Sequence, residues 1–281
     1  MIRQKSFQEG QTCLYLVATP IGNLQELTPS AISILQEVDL IAAEDTRNTM
    51  KLLSHFDIHT KVIAHHSHNE KQSTEGIVQL LHEGKNIALV SDAGYPLISD
   101  PGQTLVPRAI EEGFAVIPVN GSSAMLSALV ASGLCAMPFY FHGFLSSKSS
   151  QAKKELNELK SMKCTMVFYE APHRIEDTLK VMLEVLGNRK ISLCRELTKR
   201  FEEFIRGNIT EVLETVSELK GEMVLVVEGA LEESTQEIDV LALVEQLMQE
   251  GFSTSAAIKE AAKRTGISKN EIYRQVHASE S

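Results

Sequence analysis

The chain has 281 residues, 43% hydrophobic and 23% charged, a balance that excludes intrinsic disorder and suits one large domain or two of ordinary size. The longest apolar stretch, 124–136, is broken by Ser and Gly and falls short of the roughly 20 residues that span a bilayer, so no membrane helix is expected. A net charge of -10 weighs against a polyanionic partner only if that charge is spread evenly, and it is not.

Residues 1–12 form a polar N-terminal extension without the apolar core of a secretory signal, which predicts a cytoplasmic protein. Next, short apolar runs at 14–18, 40–43, 62–64, 87–90 and 115–119 predict buried strands. Amphipathic stretches at 29–36, 46–56, 69–82 and 102–112 predict the helices between them, with Thr28 as N-cap before Pro29 and Asn69 as N-cap of the third. This βα alternation over 13–120 predicts an α/β domain with a mostly parallel sheet. Such sheets bind ligands beyond the carboxyl ends of their strands, so chemistry belongs in the loops there.

A helix at 122–132 lies within a connecting segment, 121–137, and leads to a second α/β domain at 138–229. There, strands are predicted at 140–144, 165–169, 191–195, 201–207 and 222–228, and helices at 149–162, 172–186 and 210–219, giving a mixed sheet. Residues 148–208 hold 13 Lys or Arg against 9 Asp or Glu, whereas both flanks are acidic. A basic middle keeps RNA binding open, because phosphate affinity follows the local field. The last segment, 230–281, reads as an acidic linker and a tail with helices at 255–264 and 268–276 about Gly266. Most such hairpins are packing units rather than DNA readers.

Four loops of the first sheet stand out. Ala18–Leu24 contains Pro20 and Gly22, which fix and free the backbone respectively. Glu44-Asp45-Thr46-Arg47 puts two carboxylates and a guanidinium at a strand end, although Asp45 or Thr46 also suits a helix cap. Residues 91–102 hold two Gly, two Pro and two Asp. A rigid loop of that length shapes a pocket, and its carboxylates suit a ribose or an amino group. It lacks the Gly-x-Gly-x-x-Gly spacing and a Walker Lys, which disfavours a nucleoside triphosphate or dinucleotide. Asn120-Gly-Ser-Ser-Ala124 opens a helix with small residues that leave NH groups available. His65-His66-Ser67-His68 lacks partners at metal-ligand spacing, and Cys13, Cys135, Cys164 and Cys194 are scattered, so no metal site and no disulfide framework are expected. In the second domain Tyr169–Arg174 and Arg195–Arg200 carry carboxylates with Arg or Lys, as site groups or as local ion pairs.

The segments LYLVATPIGNL, IAAEDTRNTMKLL, ALVSDAGYPLISDPG, ALVASGL, FYEAPHRIEDTL, CRELTKRFEEFIRG and GEMVLVVEG, in order over 14–229, make the chain resemble the ribosomal RNA small-subunit methyltransferase I family of the tetrapyrrole methylase superfamily. Tyr95 and Asn120-Gly-Ser-Ser depart from the usual pattern. The resemblance implies two α/β domains with S-adenosylmethionine in the cleft between them. It also implies a homodimer that 2′-O-methylates a cytidine ribose in the decoding region of 16S rRNA, as free RNA or within the small ribosomal subunit. On that basis the cofactor lies against Pro20, Asp92, Ala93, Gly94, Leu97, Ile98, Ser122, Ser123, Ala124, Tyr169 and Met223. Candidates for the proton acceptor or orienting group are Glu44, Asp45, His66 and Glu170. Arg47, Arg174, Arg195, Lys199 and Arg200 are candidates for RNA phosphates, and no metal is called for. A tetrapyrrole-type small-molecule methylase, a noncatalytic RNA-binding protein and a DNA-binding regulator are the alternatives.

Overall fold

The computed structural model describes residues 3–6, 8, 10–66, 70–100, 102–231 and 240–278. The chain forms two compact units, Met1–Gly229 and Ala230–Ser281. Within the first lie two five-stranded sheets, ordered β3-β2-β4-β1-β5 and β6-β7-β10-β8-β9.

In the first sheet, β1 (Cys13–Val17), β2 (Leu40–Ala43), β3 (Lys61–Ala64), β4 (Ile87–Val90) and β5 (Ala115–Val119) are all parallel. The central strands read as unbroken apolar runs because both faces are covered. On β4, Ala88 and Val90 join α1 (Pro29–Glu37) and α2 (Thr46–His55) in one core, while Ile87 and Leu89 join α3 (Glu70–His82) and α4 (Leu105–Glu111) in another. Thr28 caps α1 by accepting from the Ala31 NH, with Pro29 in the first turn as predicted. The proposed cap at Asn69, with Ser67 and His68, lies outside the described residues. Helix α4 starts three residues later than its apolar spacing suggested, since Gly102 at φ 119° is not helical.

Helices α1 and α2 follow β1 and β2 on one face, and α3 and α4 follow β3 and β4 on the other. Because β4 lies between β2 and β1, the chains leaving these neighbours diverge to opposite faces at their carboxyl ends. That is a topological switch point, where an open α/β sheet leaves a crevice.

The second sheet comprises β6 (Phe139–Phe144), β7 (Thr165–Glu170), β8 (Lys190–Arg195), β9 (Glu203–Asn208) and β10 (Met223–Val227). Only β6 and β7 pair in parallel, so the sheet is mixed. One face packs on α6 (Ser149–Leu159), α7 (Ile175–Leu186) and α8 (Ile209–Leu213). The other packs on α5 (Ala124–Ala131) together with Ile21 and Leu197. Strand β9 begins later than predicted because Glu202 closes a turn on the Lys199 carbonyl.

The second unit contains α9 (Val240–Gln249), α10 (Thr254–Thr265) and α11 (Lys269–Ala278) about an apolar core that includes Val244, Leu247, Ile258 and Ile272. Helix α9 was not predicted, and Gly266 at φ 73° ends α10 as a left-handed cap. Among the described residues no helix is long and apolar enough to cross a membrane.

Candidate active site

A cleft of about 200 Å³ opens at the switch point of the first sheet, lined by Thr19 and Pro20 after β1, by Asn48, Lys51 and Leu52 of α2, and by Ser91 and Asp92 after β4. Its floor is held by backbone bonds. The Thr19 NH donates to the Gly94 carbonyl (2.9 Å) and the Gly94 NH returns to the Thr19 carbonyl (3.0 Å). Gly94 does this at φ 80°, which a side chain would strain. Leu97 and Ser99 also have positive φ, at 72° and 70°, so the loop stores backbone strain that the surrounding contacts must hold.

The carboxylates gather here. The exposed Asp92 accepts from the Asn48 side chain (2.9 Å) and the Asp45 NH (3.3 Å), tying the β4 loop to the β2 loop. Glu44 is half-buried; desolvation and the negative charge of Asp92 push its pKa up, partly offset by a bond from the Asp92 NH. Asp100 is pushed up to about 7, first by desolvation and then by the charges of Glu44 and Asp92. Asp45 behaves oppositely. It caps α2 by accepting from the Arg47 NH and also binds the Arg47 guanidinium, which lowers it to about 2. Capping and ion pairing therefore occupy Asp45 and Arg47 with one another. His66 is half-buried, close enough to Glu44 for their charges to interact.

The 91–102 loop crosses to the second sheet. A Cβ on Gly143 of β6 would sit 3.4 Å from the Ser99 hydroxyl. Tyr169 on β7 lies under this crossing, with its hydroxyl bonded to the Met125 NH and its pKa raised by burial and, less, by Asp100. Its ring packs edge-on against Phe141 and Phe144. On the other side, the Asn23 NH donates to the Thr198 hydroxyl (3.1 Å), and a Cβ on Gly22 would meet the Lys199 side chain at 2.5 Å. Two loops of the first sheet thus close on the second. The two departures from the family pattern meet as well. The Tyr95 hydroxyl donates to Asn120 Oδ1 (3.3 Å) and accepts from the Gly121 NH (3.2 Å), fastening the β4 loop to the β5 loop.

The structure brings Pro20, Asp92, Ala93, Gly94, Ser122, Ser123, Ala124 and Tyr169 to these converging loops. Ser122 donates to Glu26 (2.8 Å) and Ser123 caps α5. Ile98 is 42% exposed at the loop tip, whereas Leu97 packs partly into the first sheet's core. Met223 is not brought there. Strand alternation turns it into the core under α6, α7 and α8, on the face away from α5. Glu170 is also withdrawn, because its side chain is 1% exposed and is held by Thr178 (2.5 Å), the Ala171 NH and Arg174 (3.4 Å). Arg174 spends its other bonds on the Leu145 and Ser146 carbonyls. Arg195 pairs with Glu203 and Lys199 with both Glu196 and Glu222. Arg200 is exposed and lies over the Phe201 ring at 5.7 Å.

Sequence reasoning did not single out Thr19, Asn48, Lys51 or Asp100 for the site. The 3–4 spacing of Asn48, Lys51 and Leu52 along α2 marks one face. Asp100 was marked only as one of the two Asp of the 91–102 loop; the burial and the Glu44 charge that set its character leave no trace in the sequence. Among the described residues no group of three His, Cys, Asp or Glu is placed to hold a metal ion.

Two α/β layers meeting at a switch-point crevice, with strand-end loops closing across it, define a tetrapyrrole-methylase-type fold. The profile of the "Tetrapyrrole (Corrin/Porphyrin) Methylases" matches residues 13–213, and that of the "RsmI C-terminal HTH domain" matches 234–279. The chain is 48% identical to the Ribosomal RNA small subunit methyltransferase I of Halalkalibacterium halodurans, over 99% of both chains. It is 46% identical to the protein of that name from Bacillus subtilis, over 98% of both. In fold it is similar to a crystal structure of diphthine synthase (TM-score 0.61, 12% identity, covering 78% of this chain and 90% of that one). It is also similar to uroporphyrin-III-C-methyltransferase from Thermus thermophilus (TM-score 0.57, 17% identity, covering 78% and 94%). The chain belongs to the tetrapyrrole methylase family and, within it, to the ribosomal RNA small subunit methyltransferase I group.

Proposed function

We propose that the chain transfers a methyl group from S-adenosylmethionine to the 2′-oxygen of a cytidine ribose in the decoding region of 16S rRNA, in the cytoplasm and as a homodimer. The observation that carries this is identity of 48% along the whole chain to a ribosomal RNA small subunit methyltransferase I. A small-molecule methylase is favoured by the broad tetrapyrrole methylase profile over 13–213 alone, and the uroporphyrin enzyme of like fold is only 17% identical.

The residues at the crevice fit the cofactor. Its sulfonium and ammonium are cationic, and Glu44, Asp92 and Asp100 concentrate negative charge where those groups would lie. The positive φ of Gly94 lets the backbone approach a ligand closely, and Asp92 suits ribose hydroxyls. When bound, adenosylmethionine supplies an activated methyl whose carbon–sulfur bond breaks, leaving a neutral thioether, as the ribose oxygen forms its new bond. The chain's own work is to align that oxygen and take its proton, and positioning supplies much of the rate. Of the four candidates, Glu44 is the one we assign as proton acceptor: it is partly buried, and desolvation and the charge of Asp92 raise its affinity for a proton, with the His66 charge opposing them least. Asp45 is held too acidic by Arg47, and Glu170 is spent on interior bonds. His66 orients Glu44 through their charge interaction. Arg200, exposed and in no carboxylate pair among the described residues, is the strand-end cation best placed to meet RNA phosphates, whereas Arg47 is held by Asp45. Self-association is supported by apolar side chains left exposed on and after α5, with Val130 75% and Met137 73% exposed.

The test is transfer of labelled methyl to small ribosomal subunits lacking this modification, followed by nuclease digestion and mass spectrometry of the nucleosides. Labelled 2′-O-methylcytidine is the expected product. Label on another atom, or no transfer while the cofactor still binds, overturns the substrate assignment.

A further inference from the structure

The strand-end cations of the first unit are largely spent on neighbouring carboxylates: Arg47 on Asp45, Arg195 on Glu203, Lys199 on Glu196 and Glu222. A chain of net charge -10 then needs another source of attraction to a polyanion. Residues 254–278 carry five Lys or Arg against two Asp or Glu. Among the described residues the ion pair in this stretch is Arg264 with Glu260 on the same helix, which leaves Lys259, Lys263 and Lys269 exposed without a carboxylate partner. Two of them, Lys259 of α10 and Lys269 of α11, line one cleft of about 180 Å³ together with Ser255, Ile258, Asn270 and Tyr273. Tyr273, 55% exposed, stands one turn beyond Lys269, on the same side of α11.

We propose that this cleft is a second RNA-docking surface, with Lys259 and Lys269 on backbone phosphates and Tyr273 as a platform for an unstacked base. The choice of RNA as occupant rests on the proposed substrate. The chemistry fits it: paired cations follow a phosphate backbone, and an exposed aromatic ring takes the splayed bases of loops and single strands, which duplex DNA does not offer. The first turn of the second helix of such a pair is also where nucleic acid is met in helix-turn-helix modules. The apolar anchors of the unit, Ile258, Ile272 and Val276, are buried in its own core, while Lys259 and Lys269 are exposed.

In the full-length chain, Lys259→Ala with Lys269→Ala should raise Kd for a decoding-region RNA fragment about tenfold near physiological salt. The slope of log K against log salt should become shallower by roughly 1.5, while cofactor affinity stays unchanged. The double Arg variant should restore binding. Tyr273→Phe should keep affinity and Tyr273→Ala lose about tenfold. With small subunits as substrate, KM should rise in the Ala variants with kcat unchanged. An unaltered salt slope, no rescue by Arg, or equal affinity of the wild type for duplex DNA of the same length overturns the proposal. Because RNA binding is read directly, these results stand apart from methyl transfer: wild-type protein that binds RNA through this cleft but forms no 2′-O-methylcytidine would sink the catalytic reading alone.

Discussion

Asp100 is the carboxyl group whose protonation changes most near neutral pH, being pushed up to about 7 by burial and by Glu44 and Asp92. The folded state therefore holds this proton more tightly than the unfolded chain does. Stability from it is fully present below the usual carboxylate range and is lost as pH rises through about 7. Asp100→Asn removes the penalty, so at pH 8 the variant should melt higher than wild type by roughly 2–4 °C, and at about pH 4, in the ordinary carboxylate range, the two should nearly coincide. Melting curves at both pH values check this; equal melting at pH 8 would show that Asp100 is not desolvated. Ionised Asp100 also adds negative charge beside the proposed cofactor cation, so cofactor affinity in wild type should strengthen between pH 6 and 8 and do so less in the variant. The Tyr95 bridge allows a second test at this scale. Tyr95→Phe leaves the Gly121 NH without its partner and should cost about 1 kcal/mol, which is roughly a fivefold loss of cofactor affinity by calorimetry, with little change in fold by circular dichroism.

Among the elements, glycines separate loops that must touch from helices that need not. A Cβ on Gly121 would lie 2.8 Å from the Ala18 Cβ and 3.0 Å from the Ala18 carbonyl, so Gly121→Ala must drive the β5 loop off the end of β1. That should cost about 1–3 kcal/mol by chemical denaturation and widen the cleft. Gly76 inside α3 meets nothing within 4 Å, so Gly76→Ala should instead stabilise by about 1 kcal/mol. The elements themselves were legible in the sequence for a physical reason: strands buried on both faces, such as Ile87–Val90, must be continuously apolar, and capped starts such as Thr28-Pro29 announce helices. Strand order was not legible, since nothing in the sequence of β4 says that it inserts between β2 and β1, and that insertion makes the crevice. For the site, loop composition led to Asp92 and Gly94. It did not separate Tyr169, which meets the crevice, from Met223, because β7 and β10 are both strands of continuous burial in which the inward face cannot be chosen from pattern. The withdrawal of Glu170 was likewise hidden, as its partner Thr178 lies eight residues on, one turn into the next helix. Helix α9 was not foreseen although Asp239, a residue type that suits an N-cap, directly precedes its apolar run in the sequence, because the polar, acidic stretch before it reads as a linker.

At the scale of the molecule, the apolar cores divide as the chain does. Among the described residues the core of the second unit draws on Val240 and later residues, and the cores of the first on residues before Gly229. The boundary is sharp on the first side: a Cβ on Gly229 would strike the Lys163 carbonyl, so the chain is still tightly packed at that residue. A unit of about 50 residues buries too little surface to be more than marginally stable alone, whereas the first is of a size that sustains a large core. Calorimetry of the full chain should therefore show two transitions rather than one, with the lower belonging to 230–281. A chain ending at residue 231, which keeps Gly229 and its contacts, should lose only that lower transition. It should bind adenosylmethionine as the full chain does, because Pro20, Asp92, Gly94 and Tyr169 all lie in the first unit. A single transition in the full chain, or a fall of the upper one by more than about 4 °C on truncation, would show that the units share stabilising contacts, since a shift of that size corresponds to 1 kcal/mol or more. Loss of cofactor affinity in a truncated chain that keeps its upper transition would place part of the cofactor site in 230–281.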